Sequence, residues 1–257
     1  MVSIASGCSD TPAPDRDRTT KGTARTHTDR VGVYNPLSST FFLKLTGSEA
    51  LHVGFGQPGK IPLIGDWDGD GVATVGVYDP AIATFFLKNK NEPGRADLER
   101  KFGKPGLRPL VGDWDGDGID TIGVYDPETA TFSLTNADAP GETPLVFQFG
   151  GPNLVPICGD WDGDGIDTIG VYSPLTATFF LNSANRYGDA SKQLAFGPPN
   201  RVPIVGDWHA DGKDSIGIYD PLTGTFFLCN RLTPGANDER FSFGPPNLVP
   251  LTGHWQP

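Results

Sequence analysis

The sequence predicts an all-β fold, a five-bladed β-propeller with four antiparallel strands per blade. Three observations predict it: a constant 47-residue repeat, five copies of a Val/Ile-Gly-Val/Ile-Tyr strand, and no segment with a 3.6-residue apolar period. The repeat is marked by Asp66, Asp113, Asp160 and Asp207, each 47 residues from the next, with His254 of the terminal "GHWQP" one further step on. The second marker carries its tyrosine at Tyr34, Tyr78, Tyr125, Tyr172 and Tyr219. A fixed period of this length means a stack or ring of equal units, each too small to bury its own apolar faces alone.

Within the copy that starts at Arg108, four strands read as "RPLVGDW", "TIGVYD", "TATFSLTN" and "LVFQFG". Each is short, rich in Val, Ile, Leu, Phe and Tyr, and bounded by Gly, Pro, Asp or Asn. The first turn, "DGDG", is a hairpin signal, and in the second, "DPETA", proline fits the first central position of a tight turn. Four antiparallel strands in 40–50 residues match a propeller blade.

Strands two to four occur five times from Val31 onward, whereas strand one occurs at 61–67, 108–114, 155–161, 202–208 and 249–255. The first blade therefore lacks its inner strand and the C-terminus holds a spare one. Setting 249–255 beside 31–56 completes five blades by a Velcro closure and removes open sheet edges. Residues 31–257 are thus one propeller, and 1–30 read as a polar, disordered leader or signal remnant. Cys8 in "SIASGCSD" has a faint likeness to a lipoprotein anchor, without the preceding charged and apolar regions.

The composition agrees with this and excludes several classes. With 34 glycines and 24 prolines, near a quarter of the 257 residues breaks regular structure, which with periodicity means many turns. A net charge of −11 argues against nucleic acid as partner, and no apolar run is long enough to span a bilayer. Three cysteines do not make a disulfide framework. Cys158 falls where Ile64, Val111 and Val205 stand, predicting a small buried apolar residue; Cys229 falls where Lys88, Thr135 and Asn182 stand, predicting an exposed one. Trp67, Trp114, Trp161, Trp208 and Trp255 share one repeat position. One large residue per blade is a wedge between blades or a ring of sugar-stacking platforms, and packing is the favoured reading.

The acidic turns carry the chemistry. Counted from its first Asp, "D-W-D-G-D-G-I-D-T" places carboxylates at one, three and five, glycine at six and a backbone carbonyl at seven, the first half of a calcium-wrapping loop. Asp66, Asp68 and Asp70 with the Val72 carbonyl form one set; Asp113, Asp115 and Asp117 with that of Ile119 a second; Asp160, Asp162 and Asp164 with that of Ile166 a third. The fourth turn, "DWHADG", keeps Asp207 and Asp211 but puts His209 at position three, and the closing blade begins with His254. The alternative is a bare hairpin whose Asp side chains cap backbone N–H groups. Such a turn needs one or two carboxylates, and three spaced two apart repel one another without a cation.

"FG", a spacer, "GDWDGDG" and "IGVYDP" together resemble the FG-GAP and VCBS repeats of integrin alpha propellers and bacterial surface proteins, over residues 31–257. The resemblance implies calcium in the turn between strands one and two. That family's further Asp at position nine is replaced here by Thr74, Thr121, Thr168 and Ser215, while an Asp lies one residue earlier at Asp120, Asp167 and Asp214, with Ala73 in the first turn.

An enzyme is not expected. The four histidines, 27, 52, 209 and 254, have no spacing that pairs with a nucleophile or builds a zinc cluster, and the carboxylate pairs recur in every blade. The expectation is a calcium-binding, non-enzymatic propeller serving as an extracellular or periplasmic structural or protein-interaction module. The alternative is a multivalent lectin-like ring. Implied partners are surface proteins or glycans, met by a monomer, and cytosolic calcium is too scarce to fill weak sites of this kind.

Overall fold

A computed structural model describes residues 27–136, 143–233 and 238–256; the leader assigned to 1–26, with Cys8, lies outside the described residues. The first blade is built from β1 (Arg30–Asn35), β2 (Thr40–Lys44) and β3 (Ala50–Gly54), and the second from β4 (Ile61–Gly65), β5 (Thr74–Asp79), β6 (Thr84–Leu87) and β7 (Leu98–Lys101). The third comprises β8 (Arg108–Gly112), β9 (Thr121–Asp126), β10 (Thr131–Leu134) and β11 (Leu145–Gln148). The fourth comprises β12 (Val155–Gly159), β13 (Thr168–Ser173), β14 (Thr178–Leu181) and β15 (Lys192–Ala195). The fifth comprises β16 (Val202–Gly206), β17 (Ser215–Asp220), β18 (Thr225–Leu228) and β19 (Glu239–Ser242), and β20 (Val249–Gly253) follows it.

The order β20-β1-β2-β3 in the first sheet is the predicted closure: the last strand pairs antiparallel with the first, Gly32 opposite Leu251. The other four sheets are meanders, and the fold is an all-β five-bladed propeller. No helix forms among the described residues, so none there is long and apolar enough to cross a membrane.

Residue choice follows strand position. The inner strands β4, β8, β12, β16 and β20 pack side by side around the axis. The second strands are buried on both faces, as in the unbroken burial of "TVGVYD" in β5, whereas the outer strands alternate and expose charge, as in "LERK" of β7. In every blade the marker tyrosine tilts against the phenylalanine of strand three, with ring centroids 4.6–4.7 Å apart.

The tryptophans are wedges. Trp67 packs with Tyr78 and Phe85 of its own blade against Ile122 and Val124 of the next, and Trp255 packs likewise against Val75 and Val77. Burying an aromatic side chain of this size contributes about 1.5–3 kcal/mol. The glycine before "DW" exists for this ring: a Cβ on Gly65 would sit 2.7 Å from Cη2 of Trp67.

Both described cysteines depart from expectation. Cys158 is only partly buried, because Ile64, Val111, Cys158, Val205 and Thr252 all face the axial channel; its thiol meets the Val111 carbonyl at 2.9 Å. Cys229 is buried, not exposed. The loop between the third and fourth strands folds back over that position, and what stands there holds the loop's carbonyls: Lys88 Nζ donates to Arg95 O at 3.1 Å, Asn182 Nδ2 to Arg186 O at 3.0 Å, and Cys229 Sγ to Arg231 O at 2.9 Å.

Candidate functional site

The acidic turns link each inner strand to the second strand of its blade, so they gather at one end of the axial channel. In the first, Asp66 Oδ1 accepts from the N–H of Gly69 at 2.8 Å and of Asp70 at 3.2 Å, Asp66 Oδ2 accepts from Gly71 at 2.8 Å, and Asp70 Oδ1 accepts from Val72 at 2.8 Å. The turns at Asp113 and Asp160 repeat this pattern to within 0.2 Å. The capping bonds that a bare hairpin requires are therefore present, made by positions one and five.

Position three is the informative one. The fourth turn has His209 there, yet Asp207 still accepts from Asp211 at 3.2 Å and from Gly212 at 2.8 Å, and Asp211 still accepts from Lys213 at 3.1 Å. The middle carboxylate is thus not needed to shape the turn. In the first three turns it is exposed, and one carboxylate oxygen from each of positions one, three and five lies within 4.8 Å of the others. Three hard oxygen donors converging in this way fit a hard divalent cation. The set at Asp207 and Asp211 is not among these convergent groups.

Electrostatics point the same way. Burial pushes the Asp113 carboxyl up to about 6, against the lowering effect of the Gly118 and Gly116 N–H bonds and with the help of Asp120 and Asp117. Asp66 and Asp160 are raised from the ordinary carboxylate value for the same first cause, desolvation. Without a cation these groups are costly to ionise.

Position eight, read from sequence as a displaced ligand, has another task. Asp120 Oδ2 accepts from the N–H of Asp66 at 2.8 Å, and Asp120 N–H donates to Asp66 O at 2.7 Å. The same two-bond clamp joins Asp167 to Asp113, Asp214 to Asp160, and Asp29 to Asp207. Each clamp ties one acidic turn to the next blade. At the closing junction Ala73 keeps only the backbone bond, donating to His254 O at 2.6 Å. Asp29, assigned to the leader, is therefore part of the ring, and Arg30 opens β1. The signal was in the sequence, since Asp120, Asp167 and Asp214 keep the 47-residue step.

A cavity of about 390 Å³ opens at this end of the channel, lined by residues of all five blades including Asp29, Asp120, Asp167 and Asp214.

No family model and no curated protein matches the chain. A solved structure of an Agrocybe aegerita lectin, described as specifically recognising non-reducing terminal N-acetylglucosamine, is similar at 14% identity with a TM-score of 0.48, over 88% of this chain and 71% of that one. The likeness concerns the path of the chain.

The fourth turn also stores strain. Ala210 sits at φ 55° where Gly69, Gly116 and Gly163 sit at 75°, 77° and 80°. A left-handed alanine costs about 1 kcal/mol, part of which glycine returns through unfolded-chain entropy. Ala210→Gly is expected to raise the thermal midpoint by about 1–3 °C, measured by differential scanning calorimetry.

Proposed function

We propose that the protein is a non-enzymatic propeller of the FG-GAP/VCBS kind, with calcium held in three turns, acting outside the cytosol as a structural or protein-interaction module. The observation that supports it is the middle carboxylate, Asp68, Asp115 or Asp162, which the turn does not require and which converges with its neighbours. The Val72, Ile119 and Ile166 carbonyls are the fourth ligands of this reading. Bound calcium would supply charge neutralisation and cross-link each turn.

The three sites are not equal. Position seven of each turn lies against the turn of the preceding blade: Ile119 over Gly69, Ile166 over Gly116, and Lys213 over Gly163. The third site alone has a lysine stem across it, with Lys213 Cε 3.1 Å from where a Cβ on Gly163 would sit. An ammonium held close to a cation site weakens it by about threefold at high effective dielectric.

Isothermal titration with calcium is expected to find three sites, the weakest removed by Asp162→Asn and strengthened about threefold by Lys213→Ile. A titration with no heat, or an equal signal from the Asp68→Asn/Asp115→Asn/Asp162→Asn triple variant, would refute the reading.

A second reading, a glycan-binding ring, has one specific observation in its favour, the exposed Tyr187 beside an interblade groove. Five equal clefts are not what the junctions offer, because their bridging residues differ.

A further inference from the structure

At the end of the ring opposite the acidic turns, three junctions are bridged by an ion pair. Lys60 pairs with Asp79, Lys104 with Asp126 at 3.1 Å, and Arg201 with Asp220 at 3.3 Å, each joining a connection to the blade it leads into. Among the described residues two junctions have neither partner: the one from the fifth to the first blade, where Pro245, Leu248 and Asn35 stand, and the one from the third to the fourth. In the latter, Gly151 stands where Gln57, Lys104, Pro198 and Pro245 stand, Leu154 is shared with Leu107 and Leu248 against Lys60 and Arg201, and Ser173 stands where Asp79, Asp126 and Asp220 stand.

That junction opens into a groove of about 520 Å³ between the outer strand of the third blade and the fourth blade. The volume lies within the range of about 300–1,000 Å³ of small-ligand sites. Gly151 leaves it open, since a Cβ there would meet nothing within 4 Å.

One clear break in the repeat and one fixed polar group face the same groove. Tyr187 takes the place of Pro93, Pro140 and Pro234, and its side chain is 78% exposed. Gln148 takes the place of Gly54, Lys101, Ala195 and Ser242, and its Nε2 donates to the Thr129 carbonyl at 3.1 Å, which fixes the amide's orientation. Here Gln148, Gly151 and Tyr187, from two blades and two separate loops, converge on one cavity.

We propose that this groove binds the terminal pyranose of a neutral glycan, with Tyr187 as the stacking platform. A pyranose offers an apolar C–H face to an aromatic ring and a rim of hydroxyls to polar groups; Phe180 and Pro152 extend the apolar wall, and Gln148 and Asp189 supply hydrogen-bond partners. Asp189 and the net charge of −11 select against sialylated and uronic sugars. The site is single, unlike a repeated lectin cleft, and it does not depend on the cation reading, because no residue of the acidic turns lines it.

The test is an array of neutral and sialylated glycans probed with the full chain in calcium and in chelator, followed by calorimetry on the strongest neutral binder. Tyr187→Pro and Gly151→Lys install residues that sister repeats already carry, so both variants keep the fold, checked by an unchanged melt. Binding of neutral glycans at one site per chain, weakened about tenfold or more in both variants, is the expected result. A blank array from folded protein, binding indifferent to both substitutions, or several equal sites per chain would each overturn the proposal.

Discussion

In metal-free protein the thermal midpoint is expected to fall as pH rises from about 4 to 7, and calcium is expected to reverse that fall. The sign follows from Asp113. Its carboxyl is pushed up to about 6 in the folded chain from the ordinary 3.8, so the folded state resists ionisation more than the unfolded one. That destabilisation is absent below the unfolded value, grows between the two values and is complete above about 6. For Asp113, 3% exposed, it amounts to about 3 kcal/mol. Asp66 and Asp160 shift in the same direction and add to it. Asp79 and Asp126 shift the opposite way, held low by Lys60 and Lys104, but their stability is lost only below the ordinary carboxylate value.

On the proposed reading calcium would bind the ionised turns, so its stabilisation would grow across the same window. At a hundredfold excess over Kd each site contributes about 2.7 kcal/mol, and each kcal/mol moves the midpoint of a domain this size by about 2–4 °C. Melts over a calcium series from micromolar to ten millimolar, with magnesium as control, are expected to diverge strongly at pH 7 and little at pH 4.5. His254, lowered by burial, opposes the trend in both forms and cancels in the difference between them. A calcium-minus-chelator difference that is nil, or equal at both pH values, would leave the turns as hairpins alone.

The 47-residue period makes the ring legible in the sequence alone. Asp66, Asp113, Asp160 and Asp207, with His254 one step on, count the blades, and the spare strand at 249–255 foretells the pairing of β20 with β1. Both readings concern local pattern, which a sequence displays directly. What stayed hidden depends on which residues meet across a junction. Asp120 looks like a ligand slipped by one place, and only the bond to Asp66 N–H, 54 residues away, shows that it clamps neighbouring blades. Cys229 reads as an exposed position because its counterparts are polar; its burial comes from a loop folding back over it, and those polar groups are there to hold that loop. The groove beside Tyr187 needs two blades to be side by side before Gly151 and Gln148 acquire a meaning.

The closure is where a single change is expected to cost most. Trp255 is fully buried, it wedges the first blade against Val75 and Val77 of the second, and alone among the five tryptophans its Nε1–H finds a carbonyl, Lys44 O at 2.8 Å. Its own carbonyl accepts from Arg30 Nη1 at 3.1 Å, so one residue fastens both partners of the seam. The junction it secures is also the one where Ala73 leaves the two-bond clamp half made. Removing a buried tryptophan costs about 3–5 kcal/mol, and here it also leaves β20 free to detach and expose the edge of β1, an invitation to association. Trp255→Ala is therefore expected to lower the midpoint by about 10 °C or more and to produce aggregates by light scattering. Trp161→Ala is expected to cost less, because Trp161 is only partly buried and sits in an uninterrupted meander. Trp255→Phe separates the two contributions: it keeps most of the wedge, orphans the Lys44 carbonyl and should lie between them. If Trp161→Ala proves the more damaging change, the ring is held chiefly by its covalently continuous blades, and the C-terminal strand is an accessory to a fold that stands without it.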